Sequence, residues 1–217
     1  MIILDIETSG LTNSCGIWQI GAINLNSPRK YFFQDSRIDD EDIIQDGALK
    51  VTGINVKKLK DKNKQTQKQM ISNYLEWVGK QRRKMFFGQN IGWDVSMVEA
   101  RCIKYGIEKR FLEVHKQRSM DIHTIAQEKY YEVYGKYFQN EKKQSAMNLS
   151  KVLEFCGLPN ERINIVRNEI VKEGKVHNAL EDCRLEGEAL YRLKFGQQFF
   201  LEYSRYEIPF HLKKIRK

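Results

Sequence analysis

The stretch MIILDIE, residues 1–7, decides the fold of this chain. Its aliphatic run has the length of one strand, which is typical of a sheet that is covered on both faces. Asp5 and Glu7 are two residues apart, so on a strand their side chains point to the same face at the end of an otherwise apolar segment. The stretch therefore predicts a buried strand that ends in a pair of carboxylates.

The segments that follow predict an α/β domain. Residues 16–26 and 30–34 are strand-like and are separated by the turn residues Ser27 and Pro28, which predicts a hairpin. An acidic connector at 35–46 and an alternation of strands and helices come next, and this order argues for a mixed sheet. The pattern predicts a strand at 84–88, a strand-then-helix unit at 118–134, a loop at 139–148, and helices at 65–78, 94–106, 149–157 and from 178 past 193.

The composition is that of one globular domain, with 217 residues of which 41% are hydrophobic. No apolar run approaches the roughly 18 residues of a membrane span, and a carboxylate at position 5 comes too early for a secretory signal. We therefore expect a cytoplasmic protein without a membrane partner. The four cysteines are far apart and form no CxxC pair, which predicts reduced, mostly buried thiols.

Positive charge is concentrated in the middle of the chain. Lys and Arg total 37 against 28 Asp and Glu, a net charge of +9, and ten of the basic residues lie between 51 and 84, where only Asp61 and Glu76 oppose them. One interpretation of this segment is a solvated surface. The other is a surface for a phosphate backbone, whose counterions such a segment would release.

Three acidic or histidine-containing clusters are candidates for chemistry. Asp5 and Glu7 form either a seat for a divalent metal, since hard cations prefer carboxylate oxygen, or a solvated strand end. Asp94 lies where a helix begins and is either an ordinary helix-start residue or a member of the same crevice, into which strand ends and helix starts converge. His177 and Asp182 are five residues apart.

The spacing of His177 and Asp182 carries structural information. On one continuous helix five residues turn about 140°, so the two side chains could not serve one site. His177 should therefore precede the helix, on a mobile loop. Asn178 is a good N-cap with Glu181 at the capping-box distance, which puts Asp182 in the first turns.

Taken together, these clusters resemble the DEDDh exonucleases of the RNase H-like fold, a family that includes ribonuclease T, oligoribonuclease and the proofreading subunit of bacterial DNA polymerase III. The similar motifs are DIETSGL (5–11), NIGWD (90–94) and HNALED (177–182). The resemblance implies a five-stranded mixed sheet flanked by helices, in which the first three strands form an antiparallel meander. It implies an exonuclease domain at 1–195, followed by a basic C-terminal tail or helix at 196–217.

The resemblance also implies a chemistry, the hydrolysis of phosphodiester bonds from a 3′ end with release of nucleoside 5′-monophosphates. Asp5, Glu7, Asp94 and Asp182 would hold two Mg²⁺ or Mn²⁺ ions, and His177 would take a proton from the attacking water. The implied substrate contacts are Thr8, Gly10, Leu11, Asn90 and Trp93. Trp93 stands where relatives have phenylalanine and either stacks on a base or packs in the core.

The implied partner is the 3′ end of single-stranded DNA or RNA, and the resemblance applies equally to both. Two alternatives stay open, a catalytically silent nucleic-acid-binding module and a proofreading subunit that works beside a polymerase. A homodimer is a third expectation, in which a basic patch formed by Lys57, Lys58, Lys60, Arg82 and Arg83 would serve the partner's substrate.

Overall fold

The computed structural model describes residues 1–115, 118–166 and 169–213, without the side chains of 164–166. Its centre is a five-stranded mixed sheet. The strands are β1 Ile2–Thr8, β2 Ile17–Asn24, β3 Tyr31–Asp35, β4 Phe86–Gly88 and β5 Met120–Asp121, and their order in the sheet is β3-β2-β1-β4-β5. The middle strand β2 of the meander pairs antiparallel with β1 and β3, while β4 is parallel to both β1 and β5. The predicted fold class is thereby confirmed.

Eight helices in the described part of the chain cover the two faces of this sheet. They are α1 Asp46–Thr52, α2 Val56–Leu59, α3 Gln67–Gly79, α4 Ile91–Lys104, α5 Glu108–Val114, α6 Ile122–Tyr134, α7 Leu149–Phe155 and α8 Ala179–Phe195. Ile2, Leu4 and Ile6 of β1 pack in a core with α3, α4 and α5. Ile3 packs in the second core, with α6, α7 and α8.

This alternation along β1 determines where the two acids point. Successive side chains of a strand face opposite sides, so Asp5 and Glu7 share a face with Ile3 and not with Leu4. Ile3 belongs to the core that α8 covers. The strand therefore directs both carboxylates towards the helix that carries Asp182.

The main differences from the predicted elements lie in two connections. The segment after the acidic connector forms the short helices α1 and α2, and the region before His177 contains a two-stranded hairpin of β6 (Asn164–Val166) and β7 (Glu169–Lys172). Each element has seven residues or fewer, too short for a clear hydrophobic period. The helix predicted at 94–106 begins earlier, at Ile91, so Asp94 lies in its first turn.

The C-terminal residues pack against α8. Two 3-10 helices, Leu201–Tyr203 and Phe210–Leu212, follow it, and Phe200 and Leu212 are buried in the second core. The end of the predicted tail, 214–217, lies outside the described residues. All four cysteines are free and buried, as predicted. Within the described ranges no helix combines the length and the apolar character that crossing a membrane requires.

The basic segment at 51–84 is divided by α3. Lys60 precedes this helix and donates to the carbonyl of Asp40 over 3.0 Å, whereas Arg82 and Arg83 follow the helix and line a cavity with Asn24 and Asn26. A helix of 13 residues is about 20 Å long. The lysines at 57–60 and the arginines at 82–83 therefore lie at opposite ends of α3 and do not form one continuous patch.

Candidate active site

The position of α8 against the sheet depends on a glycine in β2. Gly21 is the cross-strand partner of Asp5, and a Cβ at this position would lie 2.5 Å from the carbonyl carbon of Ala179. Since only glycine permits such an approach, the first turn of α8 packs directly on the strand beside Asp5. Gln19, the cross-strand partner of Glu7, accepts a hydrogen bond from the Ala179 N–H over 2.9 Å. Gly21 and Gln19 thus bring Asp182 beside the carboxylates of β1.

Asp94 reaches the same place from the other side of β1. The chain turns from β4 into α4 at Asn90, which has a left-handed backbone conformation (φ 59°) and whose N–H donates to Asp121 over 2.9 Å. Asp94 is buried in the first turn of α4, and its Oδ1 accepts from the Ile6 N–H over 3.2 Å. This bond fixes Asp94 between the positions of Asp5 and Glu7 along the strand.

His177 precedes α8, as its spacing from Asp182 predicts, and it is anchored rather than free. Its N–H donates to the Val51 carbonyl over 3.0 Å, and Asn178 caps the helix by accepting from the N–H groups of Leu180 and Glu181. The ring Nε2 of His177 donates to the Ile163 carbonyl over 3.1 Å. These contacts hold the imidazole, partly buried, over the crevice.

A basic residue that the sequence reasoning missed, Arg162, joins His177 and Asp182. Its guanidinium lies 2.9 Å from Asp182 Oδ2 and donates to His177 Nδ1 over 2.7 Å. Arg162 lies just before the β6–β7 hairpin, about fifteen residues from His177 in sequence. No local pattern links it to the motif, so only the folded chain reveals this contact.

The crevice carries more negative charge than its surroundings balance. The pKa values of Asp5, Glu7 and Asp94 are raised well above their usual range, in each case first by burial. Neighbouring carboxylates, Asp182 above all, raise the values of Asp5 and Glu7 further. The pKa of Asp182 is raised to about 6 by burial, although Arg162 opposes the shift.

Glu186 is a further carboxylate of this cluster, also missed from the sequence. It lies one helical turn after Asp182 on α8 and is 1% exposed. Burial and the charges of Asp94 and Asp182 raise its pKa, against a main-chain hydrogen bond from Gln89. The available signal was the i, i+4 spacing in DCRLE, which puts both acids on one helix face.

A divalent cation fits the donor set of this crevice. Ligand atoms of Glu7, His177 and Asp182 lie within 4.8 Å of one another. Oδ2 of Asp5 is buried and finds no hydrogen-bond partner among the described residues. Buried oxygens of like charge without a partner are costly unless a cation joins them.

An open cavity of about 760 Å³ adjoins the crevice. Glu7 and His177 lie at its border with the carboxylates, and Thr8, Gly10 and Leu11 continue along one wall. Leu11 is 75% exposed. The walls of the cavity are both polar and apolar.

Trp93 and Asn90, two other predicted contacts, lie in different surroundings. The half-buried Trp93 both packs against the core under α4 and lines the cavity, and its indole donates to the Leu11 carbonyl over 3.3 Å. Asn90 lines another cavity with His123 and Ser145. Gln89 donates to the Met147 carbonyl over 3.0 Å and does not line the cavity that adjoins the crevice.

The mixed sheet and the acidic crevice together define a nuclease of the RNase H-like fold. More particularly, the chain belongs to the RNase_T exonuclease family, whose model matches residues 2–190. The family resemblance seen in the three motifs is thereby confirmed. No curated protein shows significant similarity to the chain in sequence.

Solved structures of nucleases share the fold at low sequence identity. Cell-death related nuclease 4 (CRN-4) superposes with a TM-score of 0.62 at 15% identity, over 88% of this chain and 62% of that one. The nuclease domain of 3'hExo, a DEDDh family member bound to rAMP, gives a TM-score of 0.60 at 16% identity, over 88% and 90%. The zinc-bound complex of Escherichia coli exonuclease I with single-stranded DNA gives 0.62 at 15%, over 90% and 41%. The chain therefore spans less than two thirds of CRN-4 and of exonuclease I.

Proposed function

We propose that this chain is a metal-dependent 3′ to 5′ exonuclease that acts on single-stranded DNA or RNA and releases nucleoside 5′-monophosphates. The observation that carries the proposal is the convergence of four motif carboxylates and His177 beside an open cavity. Membership of the exonuclease family supports it. So do the ligands of two similar structures, one bound to rAMP and the other to single-stranded DNA and zinc.

Asp5, Glu7, Asp94 and Asp182 would hold two Mg²⁺ or Mn²⁺ ions. The unpaired oxygen of Asp5 and the raised carboxylate pKa values support this assignment, because both reflect negative charge that the chain does not balance. When bound, such ions lower the pKa of water and stabilise charge on the attacking and departing oxygens of a phosphodiester.

His177 takes a proton from the attacking water. Burial and the charge of Arg162 lower its pKa to about 4, so the imidazole is neutral near pH 7 and has a lone pair for a proton. Because Nε2 donates to Ile163, that lone pair is on Nδ1, where Arg162 now donates. Arg162 must leave Nδ1 before His177 can act as a base, and its departure removes one cause of the lowered pKa.

The terminal nucleotide occupies the cavity beside the crevice. Thr8 and Gly10 lie in the loop after β1, and the exposed side chain of Leu11 offers an apolar surface to a base. The indole of Trp93 supports the same loop through its bond to Leu11. Apolar and aromatic contacts to a base tolerate any base, as a sequence-independent exonuclease requires.

A gel assay tests the reaction and the substrate together. Single-stranded RNA and DNA of one sequence, each labelled at the 5′ end, are incubated with the protein and Mg²⁺, Mn²⁺ or a chelator. We expect a metal-dependent ladder that shortens from the 3′ end, and the faster substrate identifies the preferred sugar. Salt-sensitive binding without cleavage would instead favour the silent binding module.

Variants connect the reaction to the site. Asp94→Ala and His177→Ala should abolish hydrolysis with little loss of fold, whereas Glu181→Ala, an exposed neighbour of Asp182, should leave it intact. Circular dichroism and thermal unfolding check the fold of each variant. Full activity in both site variants would refute the assignment.

A further inference from the structure

We propose that Glu186 is a fifth carboxylate ligand of the metal centre and binds a divalent cation together with Asp5 and Asp94. The inference rests on the proposed function and extends it to a residue outside the three motifs. Its basis is a comparison of the buried carboxylates on α8, which differ in whether the chain itself satisfies them.

The environment of Glu186 is unusual for a buried acid. Its Oε2 is buried and has no hydrogen-bond partner in the part of the chain that the structure describes. A buried carboxylate normally has a positive partner, whereas the charges of Asp94 and Asp182 raise the pKa of Glu186. The positive charge of Arg162 lowers the pKa of Glu186. The guanidinium of Arg162, however, already bonds Asp182.

A second unpaired oxygen faces the same cluster. Oδ2 of Asp5 is also buried and without a partner among the described residues, and the charge of Glu186 raises the pKa of Asp5. Either a proton or a cation between them would relieve two unpaired carboxylate oxygens in one buried cluster. With a cation bound, Glu186 would supply an oxygen ligand on the side of Asp5 and Asp94.

Titration calorimetry with MnCl₂ on the full chain tests the proposal. Glu186→Gln keeps the shape but removes the ligand charge, and it should weaken at least one Mn²⁺ binding step by about 10-fold or more. Glu186→Asp keeps the charge but withdraws it by one methylene, and it should also weaken binding. Glu181→Gln removes a charge from an exposed neighbour and should change the affinity less than about twofold.

Each outcome has a distinct meaning. If Glu186→Gln binds Mn²⁺ as Glu181→Gln does, Glu186 is not a ligand. If Glu186→Asp alone binds like the wild type, its charge acts at a distance and the inference is also wrong. A wild-type protein that binds no Mn²⁺ and cleaves no substrate would instead overturn the proposed function itself.

A different observation carries a second inference, which also rests on a nucleic-acid substrate. We propose that the basic cavity at the far end of the sheet binds the substrate strand upstream of its 3′ end. The cavity, of about 730 Å³, is lined by Lys30, Lys80, Arg82 and Arg83 and by no acidic residue. Only Lys80 of these has an ion-pair partner among the described residues, the exposed Glu76.

Aromatic side chains accompany these cations. Tyr31, 46% exposed, and the half-buried Trp77 line the same cavity. Cations beside accessible rings are the combination that binds single strands, in which phosphates meet the charges and bases stack on the rings. The neighbouring residues Asn24 and Asn26 lie at the end of β2 that pairs with the start of β1, roughly 17 Å along the strand from Glu7.

Fluorescence anisotropy with labelled oligonucleotides of 4 and 20 nucleotides tests this surface. Arg82→Ser/Arg83→Ser should weaken binding of the 20-mer about 10-fold and reduce the slope of log K against log salt by about 1.4, or 0.7 for each lost phosphate contact. Binding of the 4-mer should not change. The matched control is Lys109→Ser/Lys136→Ser, two exposed lysines outside the cavity.

The length dependence makes this inference refutable. Equal effects of the two double variants on the 20-mer would show a general charge effect and no binding surface. An equal loss for the 4-mer and the 20-mer would place the arginines at the 3′ end instead. If the wild-type protein cleaves in the gel assay, either result would refute the binding surface and leave the proposed function intact.

Discussion

Two buried carboxylates on α8, Glu186 and Glu188, have opposite surroundings. Glu188, fully buried, accepts from Arg192 Nε over 2.8 Å with one oxygen and from the N–H groups of Phe199 and Phe200 with the other. Glu186, two residues earlier, has an oxygen without a partner within the described ranges, and the charges of Asp94 and Asp182 raise its pKa. Because the fold pairs the buried charge of Glu188 completely, the unpaired oxygen of Glu186 among the described residues is consistent with a proton or a cation as its partner.

A second buried ion pair joins α4 to the connector after β3. Asp42 accepts from Arg101 over 2.7 Å, and both side chains are buried. Arg101 also donates to the carbonyls of Asn13 and Cys15, which ties α4 to the loop after β1. Asp42 and Glu188 each have an arginine of their own. Among the described residues the acidic cluster has only Arg162, which bonds Asp182.

The largest effect should follow from Asp5→Asn. The substitution keeps the size of the side chain but removes a ligand charge, and we expect kcat/KM to fall by about 10³-fold or more, equivalent to about 4 kcal/mol of transition-state stabilisation. The unfolding free energy of the metal-free protein should not fall, because a repulsive charge is lost. Steady-state hydrolysis and urea unfolding in EDTA measure the two quantities. Activity within tenfold of the wild type would contradict the account.

Glu188→Gln should lower the stability of the protein and leave metal binding unchanged. Breaking a buried ion pair while leaving Arg192 behind costs about 3–5 kcal/mol, so the midpoint of urea unfolding should fall sharply. The Mn²⁺ affinity of the folded protein should remain that of the wild type. A loss of Mn²⁺ affinity with unchanged stability would remove the distinction between Glu186 and Glu188.

His115 is also buried and incompletely bonded, but it is not part of a charged cluster. It is stacked against Phe86 and Phe111, bonds the Tyr74 hydroxyl over 3.0 Å, and its pKa is lowered by burial to about 4. The folded state therefore binds fewer protons than the unfolded state between pH 6.5 and 4, and stability should fall as the pH falls through this range. The expected contribution is about 3 kcal/mol.

The matched variant for this prediction is His115→Phe, which keeps an aromatic ring between Phe86 and Phe111. Urea unfolding from pH 7 to pH 4 should show a shallower decline for the variant than for the wild type. Parallel declines would mean that His115 binds a proton equally well in the folded and the unfolded protein.

The smallest effect concerns Arg162, the one cation that the described chain brings to Asp182. Arg162→Ala removes a positive charge that competes with a metal for the same oxygen, so Mn²⁺ affinity should rise by a small factor. Lys175→Ala, which breaks only an exposed pair with Glu161, is the control and should leave the affinity unchanged. Weaker Mn²⁺ binding in Arg162→Ala would show that Arg162 organises the site instead of competing for it.

Much of this architecture is predictable from local sequence. The aliphatic run before Asp5, the hairpin after it and the cap at Asn178 define elements whose order restricts the topology to a mixed sheet. The same local signals position Asp94 at a helix start and His177 before a helix, which is why the motif residues could be named before the structure.

The remaining features depend on contacts distant in sequence. Arg162 meets Asp182 across the β6–β7 hairpin, and Arg101 meets Asp42 across about sixty residues. Gly21 is required by the close approach of Ala179 from the other end of the chain. Glu186 had a local signal, its spacing from Asp182, but its lack of a partner is visible only once every neighbour is known.

The effect of Mn²⁺ on the unfolding free energy tests directly whether the carboxylates around Asp5 bind a metal. A ligand that binds only the folded state adds about 2.7 kcal/mol at 100 times its dissociation constant. We predict a gain of this order for the wild type and for Glu188→Gln, measured relative to each protein in EDTA, and no gain for Asp5→Asn. An equal gain in Asp5→Asn, or none in the wild type, would show that the unbalanced carboxylates are not kept for a metal.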